Sequence, residues 1–83
     1  MRIYNRESDK TFDNIEIFFT PEEAAEVMNK LKWLIDHPSD IDADIDSDEV
    51  DGVYQKELTV SVYTKENLKY FDSRSRKVIE EDK

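Results

Sequence analysis

Apolar and polar residues alternate in four stretches of the chain and recur at helical spacing in two others, which predicts four strands and two helices. Ile3 and Tyr4 make Met1–Arg6 a short strand ahead of the polar turn Glu7-Ser8-Asp9-Lys10. Asn14–Phe19 has the cleaner pattern. Ile15, Ile17 and Phe19 share one face, with Glu16 and Phe18 on the other, so these two strands are expected to pair as a hairpin.

Thr20-Pro21-Glu22-Glu23 then carries a helix start: a threonine N-cap, proline at the first helical position and glutamate three residues after the cap. Ala24, Val27, Met28, Leu31, Leu34 and Ile35 follow at the spacing of one buried stripe, leaving Glu26, Asn29, Lys30 and Lys32 to water. Pro38 disfavours helical geometry at His37 and ends the helix near Asp36.

Asp40–Asp46 alternates strictly, which places Ile41, Ala43 and Ile45 on one face of a strand and four aspartates on the other. Ser47–Gly52 reads as a polar connection to a strong strand over Lys56–Tyr63, whose Leu58, Val60 and Val62 point inward. Thr64 is expected to cap a second helix with the face Leu68, Phe71, Ser75, Val78 and Ile79, the last residues 80–83 fraying. The order β-β-α-β-β-α describes an α+β fold, a four-stranded antiparallel sheet with two helices packed on one face. Its two β-β-α halves share a strand ending in an aromatic followed by a threonine cap, as duplication or as convergence on good strand-to-helix junctions.

Composition narrows this picture. The 83 residues are 37% hydrophobic and 40% charged, enough for one domain with a thin core. No cysteine is present, so there is no disulfide framework, thiol nucleophile or thiolate metal site, and a reducing compartment such as the cytoplasm is expected. Met1–Lys10 carries five charged residues and lacks the apolar region of a secretory signal, and no run approaches a membrane span.

The net charge of −9 is concentrated. Asp36, Asp40, Asp42, Asp44, Asp46, Asp48, Glu49 and Asp51 lie in a segment without lysine or arginine, while the remainder is nearly neutral. This balance disfavours direct nucleic-acid or anionic-membrane partners and favours a basic protein. An EF-hand reading fails on register: from Asp40, Ile45 occupies the glycine position and Asp51 the position of the bidentate glutamate. His37 is expected to act as a helix C-terminal cap, with no nucleophile implied beside it. One glycine makes no phosphate loop, so no catalytic, cofactor or metal site is assigned and the chain reads as a non-enzyme.

What remains are surfaces. The aspartate strand is either a solvated or edge-protecting face or an array of carboxylates about 6.6 to 6.8 Å apart that imitates a nucleic-acid backbone. The assigned partner-binding residues are Asp40, Asp42, Asp44, Asp46, Asp48 and Glu49, with Trp33 and Tyr54 as anchors. Trp33 reads alternatively as a boundary residue packed at the sheet edge. A third option is that the basic residues Lys65, Lys69, Arg74, Arg76 and Lys77 neutralise the acidic segment within the fold or across a dimer.

Size, acidity and layout, with phrases such as Phe19-Thr20-Pro21-Glu22-Glu23 and Val60-Ser61-Val62-Tyr63-Thr64, give the chain a resemblance to small bacterial toxin-immunity proteins and phage-encoded inhibitors. That resemblance implies stoichiometric inhibition of a basic, nucleic-acid-processing partner. The alternative is a homo-oligomeric structural or assembly protein that associates through an open sheet face bearing Phe18 and Tyr63.

Overall fold

The computed structural model describes residues 1–83 and has the order β1 (Tyr4–Asn5), β2 (Lys10–Thr11), α1 (Pro21–Asp36), β3 (Asp42–Val50), β4 (Val53–Ser61), a 3-10 turn at Leu68–Tyr70 and α2 (Ser73–Glu81). The class is α+β, as the periodicity predicts. The single four-stranded sheet is not formed: β1 pairs with β2 and β3 with β4, each antiparallel, in two separate two-stranded sheets.

The reason lies in Asn14–Phe19. Despite its alternation this segment forms no strand, and β1 pairs instead with Lys10–Thr11, directly after the turn. That turn is closed locally: the Asn5 side chain accepts from the Ser8 amide at 2.8 Å, and Asp9 adopts a left-handed backbone. The Phe12 amide adds one more rung to the Ile3 carbonyl at 2.9 Å, and there the pairing stops.

The N-terminus of α1 matches expectation in every particular. Thr20 Oγ1 accepts from the Glu23 amide at 3.2 Å, the Glu23 carboxylate accepts from the Thr20 amide at 2.9 Å, and Pro21 occupies the first turn. The helix rests on β3 and β4. Its inner stripe is narrower than predicted: Leu34 is buried and Val27 and Leu31 half-buried, but Met28 and Ile35 are about two-thirds exposed. Lys30, expected in water, turns inward, contacts the Asp44 carbonyl oxygen and donates to Glu26. A two-stranded sheet is too narrow to cover the flank that a four-stranded sheet would have covered.

β3 and β4 are longer at their turn ends and shorter at their far ends than predicted. Asp51 and Gly52, both with positive φ, form a two-residue loop of the type that matches the right-handed twist of a hairpin. Once that loop closes, pairing extends from Val50–Val53 to Asp42–Ser61, passing over Asp48 and Gln55. Ala43 opposite Val60 and Ile45 opposite Leu58 form the face toward α1, and Ile45 is buried.

Thr64 caps no helix. Its hydroxyl accepts from the Asn67 amide at 3.0 Å while Asn67 Oδ1 accepts from the Thr64 amide at 2.7 Å, which closes a turn. Asn67, the one buried polar residue, also donates from Nδ2 to the carbonyls of Val62 and Pro38, tying the exit of β4 to the exit of α1. The second helix begins later than predicted, at Ser73, where Asp72 rather than Thr64 is the cap and accepts from the Ser75 amide at 2.7 Å.

α2 bonds to the N-terminal hairpin. Arg2 donates to the Ile79 carbonyl and Thr11 to that of Asp82, while Arg6 reaches Ser75 and Asp72. Tyr4 lies at the centre: its ring is within 5.6 Å of the Arg6 guanidinium and 5.0 Å of that of Arg74, and its hydroxyl donates to Asp9 at 2.6 Å and accepts from Arg74. The core is divided accordingly, with Leu34 and Ile45 in the α1–hairpin layer and Phe71 and Val78 in the segment that leads into and forms α2. No helix is long and apolar enough to cross a membrane.

Candidate functional site

Carboxylates dominate the side of β3–β4 that α1 does not cover. In the hairpin register Asp42 stands opposite Ser61, Asp44 opposite Thr59 and Asp46 opposite Glu57. Thr59 Oγ1 donates to Asp44 at 2.7 Å, which holds that carboxylate in place. Asp46 and Glu57 are like charges in direct cross-strand register, an arrangement that opposes hairpin formation. Every carboxylate from Asp40 to Asp51 is exposed.

None of these groups forms an ion pair. The four ion pairs of the chain join Arg2 to Asp82, Arg6 to Asp72, Lys30 to Glu26 and Arg74 to Asp9. No lysine or arginine of the second helix reaches a carboxylate of the acidic strand, so neutralisation of that segment by α2 does not occur within the chain. The Arg74–Asp9 contact, at 2.6 Å, also acts on ionisation. The Tyr4 hydrogen bond, reinforced by Arg74, lowers the Asp9 pKa, and the same tyrosine and aspartate raise that of Arg74. The Asp72 pKa is lowered first by the Ser75 amide and hydroxyl it caps.

A cleft of about 800 Å3 lies between this hairpin, which contributes Asp42, Asp44 and Glu57, and the N-terminal unit, which contributes Arg2, Arg6 and Tyr4. The carboxylates alternate along an extended strand without converging, and no group of three or more carboxylate or imidazole side chains is placed to hold a metal ion.

The predicted contact residues do not all share one element. Asp42, Asp44, Asp46, Asp48 and Glu49 lie on β3, whereas Asp40 precedes it in a turn closed by its amide to the His37 carbonyl at 2.9 Å. Asp48, like Asp51, has a left-handed backbone, a conformation in which aspartate is enriched, so both residues shape the chain as well as charging it. Tyr54 is about half-exposed on β4 opposite Glu49, which joins one anchor to the acidic strand by register. Trp33 is about half-exposed on α1 and stacks on His37, with ring centroids 3.5 Å apart and planes at 13°. His37 Nδ1 donates to the Trp33 carbonyl at 2.9 Å, so the imidazole caps the helix end and covers one face of the indole. Trp33 stacks on no other aromatic ring.

Compared with known proteins, the chain matches no family model, no curated protein and no solved structure.

Glu57 is the site residue that sequence reading missed. A signal for it exists: Asp51-Gly52 flanked by Val50 and Val53 marks a two-residue loop, and the register that loop imposes puts Glu57 beside Asp46.

Proposed function

We propose that this chain is a non-enzymatic acidic binding protein that docks on a basic groove of a protein partner and blocks it, as the resemblance to immunity proteins and phage-encoded inhibitors implies. The observation that carries this reading is the uncompensated charge of the β3–β4 hairpin. A sheet that needed only solubility has no reason to set Asp46 against Glu57 with no cation in ion-pair reach. A surface that must meet a row of lysines and arginines does.

Asp40, Asp42, Asp44, Asp46, Asp48, Glu49 and Glu57 supply the charge, and Tyr54 and Trp33 supply apolar area of the kind that anchors interfaces. Carboxylates on alternate strand residues repeat about every 6.6 to 6.8 Å, so a groove shaped for a phosphate backbone meets a regular series of negative charges. The main effect is on the rate of encounter and the choice of partner.

The test is capture from host lysate at low and high salt, using the natural chain and an Asp42→Asn, Asp44→Asn, Asp46→Asn, Glu57→Gln variant, followed by titration with the purified partner. The expected outcome is a basic partner whose association slows at least tenfold with either salt or the substitutions. A complex indifferent to both overturns the reading. In the free protein, Asp46→Asn alone raises stability by about 0.5 kcal/mol in urea titration, since it removes a like-charge pair; a loss there means the pair has a structural role instead.

A further inference from the structure

The segment Asp13–Phe19 is unlike any other in the chain. None of its amides or carbonyls takes part in a hydrogen bond with main chain or side chain. Its apolar side chains are exposed: Ile15 is 52%, Ile17 49% and Phe18 85% accessible, and Phe19 is exposed as well. An extended apolar stretch with a free backbone is a template for strand pairing.

We propose that a second copy of this chain covers it, the two Ile15–Phe19 stretches pairing antiparallel about a two-fold axis through Ile17. Three observations select this occupant.

The first is area. The chain exposes 6676 Å2. A compact monomer of 9.9 kDa exposes about 5,200 Å2, so the excess is about 1,500 Å2. A stable interface of standard size takes about 800 Å2 from each partner. The radius of gyration, 13.6 Å, likewise exceeds the roughly 12 Å of a compact chain of this length.

The second is self-complementarity. With Ile17 on the axis, Ile15 faces Phe19 of the partner copy and Ile17 faces itself, so one side of the new ribbon is wholly apolar. On the other side Glu16 falls opposite Phe18 of the partner copy. An axis through Glu16 would oppose two like charges, and one through Phe18 would bring in Pro21, which has no amide to donate. The Ile17 axis is the one that closes without either fault.

The third is continuity. A two-stranded ribbon alone is marginal in water and needs something to pack on. Phe19 leads directly into α1, whose exposed Met28 and Ile35 lie on one stripe with Ala24, the flank that the narrow β3–β4 sheet leaves uncovered. Because the contact is isologous it closes as a dimer and leaves no open end to extend into fibres. Asp13 and Glu16 give the segment little charge beside that of the acidic strand, so pairing here does not depend on the acidic surface.

The experiment combines sedimentation with cross-linking. The chain has no cysteine, so Ile17→Cys and Asp13→Cys each introduce one thiol. In the proposed pairing the two thiols introduced at position 17 are cross-strand neighbours, whereas those introduced at position 13 lie about 27 Å apart along the ribbon. The expected result is a dimer at micromolar concentration that a short thiol-specific cross-linker joins at position 17 at least tenfold faster than at position 13. Ile17→Lys places two ammonium groups on the axis and is expected to weaken dimerisation at least tenfold. It is expected to leave the helical circular dichroism unchanged, since Ile17 is half-exposed and its backbone bonds to nothing within the chain. A monomer at all concentrations up to the millimolar range overturns the proposal, as does a dimer that survives Ile17→Lys or cross-links no faster at 17 than at 13. Uptake of an unrelated protein's strand by a monomeric chain also overturns it.

Discussion

Two stretches of this chain have nearly the same pattern and opposite fates. Asp42–Val50 alternates aspartate with Ala43 and Ile45 as far as Asp46, is polar from Ser47 to Glu49 and has poor intrinsic strand propensity, yet every residue but Asp48 has a partner on β4. Asn14–Phe19 alternates with isoleucine and phenylalanine, the residues that favour strands, and is paired with nothing. The difference is the turn. Asp51-Gly52 brings β4 back onto β3 with only two residues between them, so a partner is available at the smallest cost in chain entropy. The N-terminal strand that could have reached Asn14–Phe19 is captured instead by Lys10–Thr11, which follows its own tight turn. Strand propensity describes what a segment can do with a neighbour; proximity decides whether it has one.

The largest break in this comparison comes from equal truncations in the two regions. Leu34→Ala, under the paired hairpin, is expected to cost about 3 kcal/mol, whereas Ile17→Ala in dilute solution is expected to cost under about 0.5 kcal/mol. Urea unfolding at two protein concentrations checks both. A large cost at Ile17 that persists on dilution means that the segment packs within its own chain.

Next is Asn67, the polar pin behind the paired hairpin. Asn67→Ala leaves the Pro38 and Val62 carbonyls and the Thr64 amide without their side-chain partner, and about 2 kcal/mol is expected to be lost. Replacement by aspartate retains the acceptor and loses the two donated bonds, so the ratio of the two losses in thermal unfolding separates the two roles.

Gly52→Ala addresses the turn itself. A Cβ there meets nothing within 4 Å, so the cost is conformational only, about 1 kcal/mol for φ near +80°. Amide exchange is expected to quicken across β3–β4 and to stay unchanged in β1–β2. Uniform quickening throughout makes the two sheets one cooperative unit.

The smallest effect is on pH and concerns the other hairpin. Asp9 and Asp72 both have lowered pKa values in the folded chain, so each binds its proton less readily than in the unfolded state. Their contribution is fully present above the ordinary value of 3.8 and is lost as pH falls through the lowered folded values. Below that ordinary value the contacts of Tyr4 with Arg74 and of α2 with its cap are therefore expected to loosen before α1 does. Tyrosine fluorescence followed against helical circular dichroism tests that order, and coincident transitions contradict it.

Much of the fold is legible because its signals are short-ranged. The Thr20 to Glu23 box, the proline after the cap and the stop before Pro38 are all local signals, and α1 has the predicted ends. The inward face of β3 is legible because alternation has a period of two whatever the partner. The start of α2 is not, since Thr64 and Asp72 are both good caps. Asn67 engages Thr64 in a closed turn, and the helix waits for the second cap. Of the candidate site, the charge of the acidic strand is visible in composition, while the opposition of Asp46 and Glu57 depends on register.

By itself the sequence determined the local elements: one capped helix, an acidic alternating strand, a strong β4 and a net charge gathered in one segment. Only the tertiary structure decided who pairs with whom, where the positive charges go and which apolar residues are left outside. The physical reason is that caps and periodicity are set by neighbours a few residues away. Strand pairing and ion pairing are instead competitions among distant groups, won by those that the shortest loops bring together first.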